Sequence, residues 1–160
     1  MLPVTQFVAA LSCTLFSGAA IYINLVEHSA WMGCSTDIAA TVWAPTYKRA
    51  TLMQAPLALL SFAAGTASWL LGSGLLWLVA SLIILAVVPF TLIVIKPTNN
   101  RLLTPGRDLA SPETRALLAR WGKLHSVCSA LSLVASAIFL ALLVRAWLVA
   151  GSHWTVWSKR

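Results

Sequence analysis

Residues 50–95 read ATLMQAPLALLSFAAGTASWLLGSGLLWLVASLIILAVVPFTLIVI, a run without a single Asp, Glu, Lys or Arg. As one straight helix it would be roughly 69 Å long, more than twice the bilayer hydrocarbon core of about 30 Å. It must therefore fold back, and Gly72-Ser73-Gly74 near its middle supplies the turn. The run predicts a helical hairpin: a second span over about 50–71 and a third over 75–95, with Pro89 as a kink. Trp69 and Trp77 flank the turn and read as interfacial anchors.

Two further windows, 1–26 and 124–144, are also free of charged residues and long enough to cross a bilayer. Only 9 % of the 160 residues are charged and 59 % are hydrophobic, against about 25 % charged in an ordinary soluble domain. The composition excludes a conventional soluble enzyme and a disordered chain, and leaves no room for a large extramembrane domain. The fold class is all-α: a single integral membrane domain over 1–160, built as a four-helix transmembrane bundle.

The first span is expected over about 4–26. Ser17-Gly18-Ala19-Ala20 imitates a signal-peptide cleavage site, but no Lys or Arg precedes it, so the span is read as retained. Ser35-Thr36-Asp37 is expected to start a short interfacial helix ending at Pro45. Lys96-Pro97 is expected to stop the third span. Ser111-Pro112-Glu113 starts the next helix, with Ser111 as N-cap, Pro112 at the first helical position and Glu113 complementing the dipole. Continued to residue 149, that helix is roughly 57 Å long, so only 124–148 is the fourth span and Arg115, Arg120 and Lys123 project beyond the membrane.

Net charge is +7. Lys48, Arg49, Lys96, Arg101, Arg107, Arg115, Arg120 and Lys123 fall in segments 27–49 and 96–123, whereas Arg145, Lys159 and Arg160 fall on the face of the termini. The positive-inside bias makes the two segments cytoplasmic loops and puts the termini outside an inner or plasma membrane. The cationic partner is anionic lipid, not nucleic acid. Cys13, Cys34 and Cys128 are odd in number and lack C-x-x-C spacing, so no disulfide is expected.

Four spans bring the polar residues together at the loop face. Asn24, Glu27 and His28 end the first span, and Tyr47, Arg49 and Gln54 surround the start of the second. Asn99 and Asn100 follow the third, and Trp121 and His125 open the fourth. At 100° per residue Thr14, Ser17, Asn24 and His28 share one stripe, with Glu27 about 60° from Asn24. His125, Ser129, Ser132 and Ser136 form another, and Ala50, Gln54, Ser61, Gly65 and Ser68 a third. Stripes of small and hydroxylated residues are packing surfaces. Arg49, Lys96, Arg101, Arg120 and Lys123 read as orientation and headgroup residues, and His153 as solvated. Asn99 and Asn100 either cap a helix end or line a site. Glu27, His28 and His125 stand apart, because ionisable groups at a span mark a site or a relay. A transition metal held by His28, His125 and Glu27, a haem between the two histidines, and proton transfer by a histidine near a carboxylate all remain open.

Four motifs in fixed order carry a resemblance over nearly the whole chain. They are Tyr22-Ile-Asn24-Leu-Val-Glu27-His28, Pro45-Thr-Tyr47-Lys-Arg49-Ala-Thr-Leu-Met53-Gln54-Ala-Pro56, Lys96-Pro97-Thr98-Asn99-Asn100-Arg101-Leu102 and Arg120-Trp121-Gly122-Lys123-Leu124-His125. Together they resemble the anthrone oxygenase-like family of small four-span membrane proteins. The resemblance implies oxidation of an anthrone-like phenolic compound to a quinone with molecular oxygen, with no dedicated cofactor. It puts the family's polar positions at Asn24, Glu27, His28, Asn99 and His125. In that chemistry His28 or His125 removes a proton and Glu27 orients a histidine. Asn99 or Asn100 stabilises the oxyanion. Asn24 contributes to the substrate site, and Trp43, Tyr47 and Trp121 stack on the rings. The competing readings are a haem- or metal-binding redox protein and a non-catalytic bundle that binds lipid or a partner helix, either of which, like the enzyme, can form a homo-oligomer.

Overall fold

The computed structural model describes residues 1–157, with side chains through Leu148. Lys159, Arg160 and the His153 side chain therefore lie outside the described residues. Four helices, α1 (Leu2–Gly33), α2 (Thr36–Ser73), α3 (Leu75–Leu102) and α4 (Pro112–Trp157), account for nearly the whole fold, and there is no strand among the described residues. Each is long and apolar enough to cross a membrane. Helices adjacent in sequence pack side by side and α1 closes the ring against α4, which makes an up-and-down bundle of an integral membrane protein.

The hairpin turn falls where glycine is needed. Gly72 at φ +91° and Gly74 at φ +95° occupy backbone conformations that strain any residue with a Cβ. Trp69 is at the surface as expected. Trp77 is not: it is 2 % exposed and packs on Phe139 of α4, with ring centroids 5.4 Å apart. An indole beside a turn can face inward as well as toward the interface, and the apolar neighbours of α4 claim this one.

The helix ends differ from the expected ones. Pro45 does not terminate a short helix; α2 starts at Thr36 after an extended Ser35 and runs without interruption through Pro45 and Pro56. Both prolines lie on the exposed side, where the carbonyl each leaves free is not trapped in the core. The Ser35 hydroxyl holds the Asp37 carboxyl below its usual range at this helix start. Nor does Lys96-Pro97 stop α3. The chain takes a π-helical turn over Thr91–Ile95 and continues to Leu102, the wider turn making room for the proline ring. A second π-helical turn, Ile23–His28, carries α1 past the expected end to Gly33. Segments 27–49 and 96–123 are thus mostly helical extensions of the spans.

Around the start of α4 the expected cap is present: the Thr114 amide donates to Ser111 Oγ at 3.2 Å. Arg101 and Arg107 pair with Glu113 at 2.7 and 3.7 Å. Arg115 donates to the carbonyls of Cys34, at 2.9 Å, and Met32, so it caps the end of α1 from α4. The three cysteines are free, with Cys13 and Cys128 buried.

The small-residue stripes lie between helices. The α1 stripe faces α4: Thr14 meets Ser136 at 2.9 Å, and Ser129 donates to the Ala20 carbonyl at 3.0 Å. The α2 stripe faces α1, with Ser61 donating to the Ala9 carbonyl and Ser68 to Thr5, both at 2.9 Å. On α2, Gly65 lets Ser81 of α3 and Phe139 of α4 come so close that a Cβ there would collide with both.

Candidate active site

The four helices surround a partly open apolar cavity of about 160 Å³ in the half of the bundle away from the Gly72–Gly74 turn. Its wall takes Phe16, Ile23 and Trp31 from α1, and Tyr47, Gln54 and Ala58 among others from α2. Val87, Thr91 and Ile95 come from α3, and Trp121, His125 and Cys128 from α4.

His125 is the one ionisable group in that wall whose ordinary titration lies near neutrality. Its ring stacks on Trp121, centroids 4.8 Å apart and nearly parallel. Its Nδ1 is hydrogen-bonded to Asn24 Oδ1. The orientation of Asn24 follows from its other contact, in which Nδ2 donates to the Gly122 carbonyl at 3.0 Å. A carbonyl only accepts, so the amide nitrogen must face it and Oδ1 must face His125. Ser129 Oγ, which donates its one proton to the Ala20 carbonyl, also lies 3.0 Å from Oδ1. The neutral imidazole therefore carries its proton on Nδ1 and keeps the Nε2 lone pair free.

His28 is fixed by the same logic. Its Nε2 lies 3.0 Å from the Leu118 carbonyl and must donate, which leaves Nδ1 as the lone-pair nitrogen. The ring meets Trp121 at a centroid distance of 5.9 Å and lies against Gly122, where any Cβ would collide with it. Both imidazoles thus touch the Trp121 indole. Trp121 in turn packs edge-on against Trp43 at 5.9 Å, and Trp43 stacks on Tyr47 at 5.2 Å.

Not every candidate reaches the cavity. Tyr47, Trp121 and His125 line it; Asn24, Glu27, His28, Asn99 and Asn100 do not. Asn24 stands behind His125 and holds its ring. Glu27 makes no hydrogen bond to a histidine, and one of its carboxylate oxygens is buried without a partner. The π-helical turn departs from 100° per residue, which is why the projected position of Glu27 does not describe its neighbours. Asn99 is 1 % exposed with both amide atoms unpaired, one turn beyond the cavity residue Ile95, while Asn100 is at the surface. His28, His125 and Glu27 do not form a three-ligand group among the described residues.

Three residues outside the candidate set belong to the site. Gln54 lines the cavity and its Nε2 is buried without an acceptor, as is Trp121 Nε1. An unsatisfied buried donor costs roughly 1–3 kcal/mol, and these two N–H groups are unsatisfied donors in the same wall as the imidazole. Gln54 was visible as an amide inside an uncharged apolar run. Gly122, the seat of His28, was visible as a glycine within a helix. Trp31 was hidden, because α1 was expected to end before it.

The sequence profile of a family described as Anthrone oxygenase matches residues 43–138. Anthrone oxygenase tpcL of Aspergillus fumigatus is 28 % identical over 152 residues, which cover 89 % of this chain and 94 % of that protein. No solved structure matches.

Proposed function

Since this chain belongs to the anthrone oxygenase family, we propose that it oxidises a lipophilic, anthrone-like phenol to the corresponding quinone with molecular oxygen, using His125 as the base. The observation that carries the proposal is the free Nε2 lone pair of His125 at the wall of an apolar cavity, with Nδ1 held by Asn24.

The methylene of an anthrone is acidic because its carbanion is an enolate delocalised onto the ring ketone. His125 Nε2 takes the methylene proton, and the electron pair moves to the ketone oxygen. Gln54 Nε2 and Trp121 Nε1 are the donors for that developing oxyanion, a role expected from the sequence of Asn99 or Asn100. The electron-rich carbanion transfers electrons to oxygen and forms a C–O bond, giving a hydroperoxide after protonation. Loss of the second methylene proton breaks the O–O bond, forms the second carbonyl and releases water. The net change is one methylene and one O2 to one carbonyl and one H2O. Trp121 and Tyr47 offer faces on which a planar ring system stacks. His28 supports the site through Trp121 and Gly122, and we assign the basic segments 27–49 and 96–123 to the cytoplasmic side.

The test is oxygen uptake and quinone formation by the purified protein in lipid vesicles, preceded by a visible spectrum and metal analysis. A spectrum without a Soret band, sub-stoichiometric metal and turnover that is lost in His125→Ala with folding retained are the expected results. A Soret band or stoichiometric iron or copper favours the redox-protein reading. No oxygen uptake across a panel of anthrones and phenols leaves the non-catalytic bundle.

A further inference from the structure

The His125 cavity has an open side. Thr51, Ala55 and Leu92 are exposed on the outer surface of the bundle, yet they line the same space as buried Gln54 and His125. Thr51 and Ala55 belong to α2 and Leu92 to α3. These helices are joined at the Gly72–Gly74 turn and pressed together at Gly65 and Ser81, so the hairpin is closed at one end and parted at the other.

Two lysines mark the depth of the gap. Lys48 lies two turns before Ala55 and Lys96 one turn after Leu92, each on the same side of its helix as the residue it precedes or follows. Both are exposed, and neither forms an ion pair among the described residues. Exposed lysines at the end of a span extend their ammonium groups to the lipid phosphates, and on that rule the gap lies just below headgroup level. Amphipathic ring compounds collect in that layer.

Size points the same way. An enclosed apolar cavity of about 150 Å³ accommodates a benzene ring, and this one measures about 160 Å³. A fused tricycle therefore exceeds that space, and part of it must extend outward past Thr51, Ala55 and Leu92.

We propose that the opening between α2 and α3 at Thr51, Ala55 and Leu92 is a lateral portal through which a planar lipophilic phenol enters the His125 cavity from the bilayer. The small side chain of Ala55 sets the width of ring system that passes. The ligand class rests on the function proposed above; the portal itself does not.

The portal is tested with Cys128, which lines the cavity, as the reporter. Protein carrying Cys34→Ser is placed in phosphatidylcholine vesicles and treated with N-phenylmaleimide, which dissolves in the bilayer, or with a sulfonated maleimide, which does not. Modification of Cys128 is read from the mass of its peptide. N-phenylmaleimide is expected to modify Cys128 at least about tenfold faster than the sulfonated reagent, because access governs thiol reaction. Ala55→Trp should slow that modification about tenfold, whereas Ala63→Trp, exposed on α2 outside the cavity, should leave it unchanged. Equal rates for the two reagents, no modification by either, or equal effects of the two tryptophans would overturn the portal. Oxygen uptake with a vesicle-borne anthrone separates the two proposals. The expected labelling without anthrone oxidation keeps the portal and removes the reaction; oxidation whose kcat/KM survives Ala55→Trp keeps the reaction and removes the portal.

Discussion

The two ends of the bundle use the same four helices in opposite ways. Near the Gly72–Gly74 turn, Ala, Gly and Ser bring the backbones together, and hydroxyls such as Ser61 and Ser68 are satisfied by neighbouring helices. At the other end Trp43, Tyr47, Trp121 and two histidines prop the helices apart. There two amides, two indole N–H groups and a carboxylate oxygen are buried without partners, against the Thr66 hydroxyl toward the turn. Unpaired buried groups are expensive, so their concentration in one half separates a clamp, where polar atoms serve packing, from a chamber, where they await something else.

The largest expected effect strikes the chamber. His125→Ala should lower the oxygen-dependent rate by about 10²–10⁴-fold, the usual worth of a positioned general base, with little change in thermal unfolding. In the parent protein only the neutral ring accepts a proton, so the rate should fall once the pH is low enough to protonate His125. An unchanged rate in His125→Ala would remove the base and with it the functional contrast between the ends.

Gly65→Val attacks the clamp. Its Cβ has no room beside Ser81 and Phe139, so unfolding in detergent should show a loss of about 1–3 kcal/mol, typical of overpacking. Gly122→Ala makes the converse test inside the chamber. The new methyl must displace the His28 ring, and we expect a clear fall in kcat with a smaller loss of stability than Gly65→Val. Equal stability losses without a change in kcat would mean that His28 only packs.

Two weaker effects concern the ends as surfaces. Single cysteines replacing Ser73 and Gly106 should be labelled by impermeant reagents from opposite sides of the membrane; labelling of both from one side would defeat the topology. Glu113→Gln should change stability least of all, because the carboxylate and Arg101 are both largely exposed. Arg101, and then Arg107, hold the Glu113 carboxyl below its ordinary value. Its small contribution is therefore full above the usual carboxylate range and is lost as pH falls through the lowered value.

The clamp was easier to read from sequence than the chamber. An uncharged run too long for one crossing requires a hairpin, and its central Gly-Ser-Gly leaves little choice of turn. Serines at helical spacing then give the packing faces. Proline misled at Pro45 and Pro97, because a helix with its freed carbonyl on the outside, or with a π-helical turn nearby, continues where an ordinary one would stop. In the chamber, residue type brought out His125, Tyr47 and Trp121, which line the cavity. It did not distinguish Asn24, which holds a ring from behind, from a residue that meets the cavity directly. Periodicity held past Ile23 for Asn24 and His28, which bond to α4 as Thr14 does, but not for Glu27, where the helix changes pitch.

That change of pitch has a consequence for how the chain tolerates a lost residue. A π-helical turn holds one residue more than the α-helix around it, so Ile23–His28 stores a spare position in the middle of a span. Deleting Leu25, which faces outward, would let the turn rewind as α-helix without breaking the span. Everything beyond it, through Gly33, would keep its phase, because the turn gives up the one residue it holds in excess. His28 would stay against Trp121 and Trp31 in the cavity wall. The same deletion at Leu15, in the α-helical part of the span, would instead rotate one flank of the helix against the other by about 100°. A lost residue is absorbed at the turn, where elsewhere in the span it acts as a rotation.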